Sequence, residues 1–176
     1  MLDLDRDGKA EIIASHGRGN LLSGSVHIYK YDAGTFKAGA STSIANVDAI
    51  AVGDIDADGI PEIVATTSYL PTSKGPGVFV LNSKTLETKA ALATPCYPSD
   101  ILLVPGTSSH GNVLAMCSLS ERSYAVEIDG LTGFEIWRSP MLMGLAHRNS
   151  NSIDDFNGDG TLDLAIGTSR AMFLTH

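Results

Sequence analysis

The sequence predicts an all-β fold: a β-propeller segment of about three to four four-stranded blades, repeating every ~50 residues. Three observations predict it. Nine-residue loops of one pattern recur in register, and each is followed by a short apolar run. A second signature, [Asp/Asn]-x-x-Thr, then recurs at nearly the same period.

The loops are Asp3-Leu4-Asp5-Arg6-Asp7-Gly8-Lys9-Ala10-Glu11, Asp54-Ile55-Asp56-Ala57-Asp58-Gly59-Ile60-Pro61-Glu62 and Asp155-Phe156-Asn157-Gly158-Asp159-Gly160-Thr161-Leu162-Asp163. Asp54 follows Asp3 by 51 residues, and Asp155 follows Asp54 by 101, close to two periods. A further member is therefore expected near residue 104. Val104-Pro105-Gly106-Thr107-Ser108-Ser109-His110-Gly111-Asn112 keeps the length and the apolar run that follows, but every carboxylate is gone. It reads as a structural repeat that does not bind an ion.

Oxygen donors at positions 1, 3, 5 and 9, with Gly at 6, suit a hard cation such as Ca2+, which takes about 6–8 oxygen ligands. The Gly lets the backbone turn with positive φ, so that the ninth side chain folds back toward the first. The expected ligands are Asp3, Asp5, Asp7 and Glu11; Asp54, Asp56, Asp58 and Glu62; and Asp155, Asn157, Asp159 and Asp163, giving about three Ca2+ sites. An EF-hand shares the opening but needs a Glu at position 12 and flanking helices. Position 12 is Ala14, Ala65 and Ile166 in these loops, with β-runs following. Ligands that recur once per repeat point to an ion that holds the fold.

The strands follow in order. After each loop comes a buried run: 11–15, 62–67, 112–116 and 163–167, too short and too closely bounded by Gly and Ser for helices. Connections such as Gly17-Arg18-Gly19-Asn20 and Lys74-Gly75-Pro76-Gly77 lead to a third strand at 26–31, 78–81 and 124–128. That strand closes on Asp32-Ala33-Gly34-Thr35, Asn82-Ser83-Lys84-Thr85 or Asp129-Gly130-Leu131-Thr132, where an Asx side chain can bond the backbone two residues on. A fourth strand runs out at 36–39, 87–91 and 134–138. The next inner strand, at 49–54 or 101–104, leads into the following loop. Blades are expected at about 1–46, 47–96 and 97–147, with a partial one at about 148–176, as a fragment of a larger propeller.

Composition narrows the function. The 176 residues are 43% hydrophobic with a formal charge of −8, which argues against nucleic acid and anionic membrane surfaces. Eleven of the 20 Asp and Glu sit at liganding positions, so the excess charge is local and suited to neutralisation by metal. No stretch approaches the ~20 apolar residues of a membrane helix. Cys96 and Cys117 either form a disulfide across a hairpin or pack as two small thiols. The five His show no paired ligand spacing, and Ser108, Ser109 and His110 lack a third group for nucleophilic chemistry. Trp137 reads as an outer-strand aromatic packed between blades.

The segments Val52-Gly53-Asp54…Asp58-Gly59…Glu62-Ile63 and Asp155–Leu164 resemble FG-GAP/VCBS repeats, the blades of integrin-alpha-type propellers and of many bacterial secreted proteins. The resemblance implies calcium in the inner-strand loops on one face, with a protein or glycan ligand engaged by loops of the opposite face. Arg18, Asn20, Tyr69 and Lys74 fall in such loops. The expectation is an extracellular, cell-surface or periplasmic binding and adhesion scaffold, without nucleic acid or membrane insertion. Self-association or the remainder of the propeller would cover its open ends. The alternatives are part of a propeller enzyme acting on polysaccharide, or a propeller lectin.

Overall fold

The computed structural model describes residues 3–16, 24–67, 77–96, 98–105 and 110–175. The described residues form antiparallel strands and turns, without helix, in four successive sheets. The first sheet joins β1 (Glu11–His16), β2 (Ser25–Asp32) and β3 (Thr35–Thr42). The second runs β4 (Val47–Gly53), β5 (Glu62–Thr67), β6 (Val78–Asn82) and β7 (Thr88–Leu92). In the third, β8 (Pro98–Val104), β9 (Asn112–Leu119), β10 (Arg122–Asp129) and β11 (Glu135–Arg138) follow in order, and the short β12 (Leu142–Met143) also pairs with β10. The fourth holds β13 (Ala146–Asp154), β14 (Asp163–Thr168) and β15 (Met172–Thr175). Inner strands β4, β8 and β13 lie side by side, β8 between the other two. This is a β-propeller-like segment.

Why the second strand of each unit is a continuous apolar run is visible in its two faces. Ile63 packs into a core shared with Leu4, Val26 and Ile28 of the first unit, while its neighbour Val64 joins Val113 and Val126 of the third sheet. Val113 faces back in the same way, and Leu114 faces forward to Leu164 and Ile166. The residue after the loop thus looks to the preceding sheet and the next one to the following sheet. A strand sandwiched on both sides has no polar face to alternate with. β5 is buried along its whole length. At the first sheet no described element covers the backward face, and Ile12, the counterpart of Ile63, is 45% exposed.

Each inner strand is bulged near its start, with register shifts between Val47 and Ile50, Pro98 and Asp100, and Ala146 and Asn151. The bulge increases local twist and lets inner strands converge without clashing. Cys96 and Cys117 are disulfide-bonded, with Cα atoms 5.7 Å apart, next to the Pro98–Cys117 pair that begins the β8–β9 ladder. Of the two states open from the sequence, the bond is the one formed.

The Asx signature divides. Asn82 Oδ1 accepts from the amides of Lys84 (2.9 Å) and Thr85 (3.0 Å), and Asp129 Oδ1 from those of Leu131 (3.0 Å) and Thr132 (2.7 Å). At Asp32 the expected side-chain turn gives way to a two-residue hairpin. Ala33 and Gly34 both have positive φ (48° and 85°), the backbone that a tight I′ turn demands, with Asp32 paired directly to Thr35. The freed Asp32 carboxylate pairs instead with Lys37 at 2.6 Å. Trp137 lies on β11, the last strand of its sheet, and lines a cavity of about 270 Å³ with Ile153, Leu162 and Leu164 of the fourth unit.

Candidate metal centre

The three acidic loops fold alike, each between an inner strand or the chain start and the second strand of its unit. In each, the ninth-position carboxylate reaches back to the amide of position 2: Glu11 to Leu4 (2.7 Å), Glu62 to Ile55 (2.9 Å) and Asp163 to Phe156 (3.0 Å). The first-position carboxylate accepts the amide of the position-6 glycine: Asp3 from Gly8 (2.9 Å), Asp54 from Gly59 (2.8 Å) and Asp155 from Gly160 (2.9 Å). These two bonds close the loop at both ends.

Positive φ occurs at two positions per loop, not one. Position 6 is Gly8, Gly59 and Gly160, as the pattern predicts, and position 4 is Arg6 (62°), Ala57 (58°) and Gly158 (77°). The sequence carried one hint of the second, the glycine at 158. Left-handed backbone at a non-glycine residue costs roughly 1–2 kcal/mol, so the bonds that close the loop hold Arg6 and Ala57 against that cost.

One oxygen from each of Asp3, Asp5 and Glu11 lies within 4.8 Å of the others, and the same holds for Asp54, Asp56 and Asp58. Glu11 is 7% exposed, and its Oε1 is buried without a hydrogen-bond partner; Asp56 Oδ1 is in the same state. A buried carboxylate oxygen left unpaired costs about 1–3 kcal/mol. Hard oxygen donors, mutual convergence and orphaned oxygens together fit a divalent cation of the calcium type. Asp7 Oδ1 accepts the Lys9 amide (2.9 Å) and Asp58 Oδ1 the Ile60 amide (2.7 Å); Asp58 belongs to its loop's converging group, whereas Asp7 is not part of the group that Asp3, Asp5 and Glu11 form. In the loop at 155–163, Asn157 Oδ1 accepts the Asp159 amide at 2.8 Å, and Asp159 Oδ1 that of Thr161 at 2.8 Å. The Gly160 amide, with those of Gly158 and Asp159, holds the Asp155 carboxyl below its ordinary value.

Two lysines enter these loops that the sequence did not flag. Lys30 pairs with Asp5, and lies directly across the β1–β2 ladder from Glu11. Its hydrogen bond holds the Asp5 carboxyl below the usual range and raises Lys30 itself. Lys89 on β7 reaches Asp56 at 2.5 Å and Glu62 at 2.8 Å. Hairpin register could have found Lys30, since opposed residues on one face interact. Lys89 sits where the β6–β7 register shifts, which no residue pattern marks.

In the carboxylate-free loop, residues 106–109 lie outside the described part, as do the expected ligand-contact residues Arg18, Asn20, Tyr69 and Lys74. His110 Nε2 meets Asp129 Oδ2 at 2.7 Å. His110 and the turn around Thr132 hold the Asp129 carboxyl far below its ordinary value. Asn112, in the ninth position, donates to Glu127 at 2.7 Å. Adjacent loops also touch: Arg6 donates to the Gly59 carbonyl, and the Gly111 amide to the Ile55 carbonyl at 2.8 Å.

Fold and loops together define a repeat protein of propeller-like blades with an acidic loop leading into the second strand. Among models of known families, the FG-GAP-like repeat matches residues 3–65, which span the first loop, the first sheet, and the second loop through most of β5. Residues 3–65 thus carry an FG-GAP-like repeat. No curated protein matches it.

Proposed function

We propose that the chain is a non-enzymatic, calcium-stabilised binding and adhesion scaffold that works outside the cytoplasm. The observation that supports this is the orphaned, buried Glu11 Oε1 beside Asp3 and Asp5, a carboxylate oxygen that the capping bond to Leu4 leaves over for a cation. Calcium would be held by Asp3, Asp5, Asp7 and Glu11, by their counterparts at 54–62, and by Asp155, Asn157, Asp159 and Asp163. Bound there, the ion neutralises converged carboxylates and ties the end of one strand to the start of the next.

The compartment reading has two supports. Small loops of this kind are expected to bind weakly, so that the millimolar calcium outside the cytosol would fill them, and a structural disulfide persists where the surroundings are oxidising. No helix among the described residues is long and apolar enough to cross a membrane. A protein or glycan ligand would engage loops on the face opposite the ions. The backward face of the first sheet, with Ile12, Tyr31 and Phe36 exposed, takes a further repeat or a second copy of the chain.

Calorimetric titration of EDTA-stripped protein with calcium tests the reading. Three sites, with a higher melting temperature at saturation, are expected. An unchanged melt and no heat of binding would make the loops simple turns and move the search for function to the opposite face.

A further inference from the structure

The first two loops repeat each other in sequence but not in the state of their ninth-position carboxylate. In each, one oxygen of that Glu is spent on the amide of position 2, which leaves the other for an ion. Glu11 Oε1 is buried and unpartnered, and Glu11 converges with Asp3 and Asp5. Glu62 Oε1 is instead taken by Lys89 Nζ at 2.8 Å, and Glu62 is missing from the group that Asp54, Asp56 and Asp58 form. The same ammonium lies 2.5 Å from Asp56 Oδ2 and 3.9 Å from Asp58 Oδ2. It therefore contacts three of the four expected donors of one loop. Lys30 in the first loop makes its ion pair with Asp5 and, though it feels the charge of Glu11 across the ladder, leaves Glu11 Oε1 without a hydrogen bond.

We propose that Lys89 is a tethered cation seated in the second loop, and that it must swing out before calcium can enter, so that the first loop fills ahead of the second. This rests on the calcium reading above. The physical basis is exclusion: an ammonium and a calcium ion cannot share Glu62 Oε1 and Asp56 Oδ2, because two cations on one oxygen pair repel strongly at such separations. Lys89 has a four-carbon stem and is 31% exposed at its side chain, so an outward rotamer is open to it. The device lets the second loop stay neutralised at low calcium, where a bare cluster of carboxylates would repel itself.

The test is calcium titration by calorimetry of EDTA-stripped wild type, Lys89→Gln and Lys37→Gln, the last altering a lysine that among the described residues pairs with Asp32, outside the ion-binding positions. Expected is a weak site in wild type that tightens about fivefold or more in Lys89→Gln, as three competing ion pairs are removed, with no change in Lys37→Gln. Lys89→Gln should also melt lower than wild type in EDTA and no lower in saturating calcium. Identical site affinities in wild type and Lys89→Gln would overturn the proposal while leaving calcium binding intact. No binding in any of the three proteins would overturn the calcium reading itself. Should Lys89→Gln fail to fold without the ion, 13C-lysine NMR of wild type decides. One lysine signal must move in step with filling of the weaker site, and unmoved lysine signals in the saturated protein overturn the proposal.

Discussion

Glu11→Gln separates an ion ligand from a backbone cap, because the two roles predict effects in different solutions. Glutamine keeps an acceptor for the Leu4 amide, now 2.7 Å from Glu11 Oε2, so the capping bond survives. It replaces the orphaned Oε1 with an amide that can donate to the carboxylates of Asp3 and Asp5, and it removes one of the converging negative charges. In EDTA the variant should melt at or slightly above wild type. In calcium the balance reverses. An ion at 100 times its dissociation constant stabilises by about 2.7 kcal/mol per site. For a chain of 176 residues, one kcal/mol shifts melting by about 2–4 °C, so losing the first site should remove about 5–11 °C of the calcium-induced rise. Differential scanning calorimetry in EDTA and in saturating calcium measures both. Equal destabilisation in the two buffers would reduce Glu11 to a structural cap. An undiminished calcium response would refute the assignment of the first loop as a site.

Further outcomes concern the scaffold. Replacing Cys96 and Cys117 by serine opens a loop closed across a 21-residue separation, and should cost about 3 kcal/mol in urea unfolding. Wild type in reductant should show the same loss. Ile63→Ala deletes a fully buried side chain from the core between the first two units, and should cost about 2–5 kcal/mol by the same measurement. Asp129→Asn tests the depressed carboxyl that His110 and Thr132 stabilise. A group whose folded pKa is lowered contributes stability that is present above its unfolded value and lost as pH falls toward the folded one. The variant should therefore be weakened most at neutral pH. Its deficit should shrink below about pH 4, the ordinary carboxylate value, as read from urea midpoints at several pH values.

Much of this architecture was legible because repetition multiplies a weak local signal. A single Asp-x-Asp-x-Asp-Gly run is ambiguous; three in register fixed the period, and the period located the carboxylate-free loop at 104–112. The strands after each loop were readable for the same reason that they are buried on both faces. What escaped was set by contacts between units. Lys89 enters the second loop from a strand 27 residues beyond Glu62, through a register shift that nothing local encodes. Arg6 reaches Gly59 from the neighbouring loop, 53 residues away. The Asp32 turn shared the Asx signature but had Ala33-Gly34 at its centre, and that pair took the chain into a tight hairpin. The short β12 and the bulged start of β13 answer to their partners across the sheet more than to their own residues.

Because Ile63 looks backward and Val64 forward, each core belongs to two sheets and to neither alone. Stability in such a chain is a property of junctions, summed between nearest neighbours. The second and third sheets each own two junctions, whereas the first and fourth each own one among the described residues. Taken by themselves, these four sheets should therefore open inward from the outer two like a zip, with amides of β5 and β9 the last to exchange with solvent. Calcium bound in the first loop would then act as more than a local clasp. Seated at the end sheet, beside the Arg6–Gly59 bridge to the next loop, it would raise the cost of the first step, and with it the lifetime of the whole array.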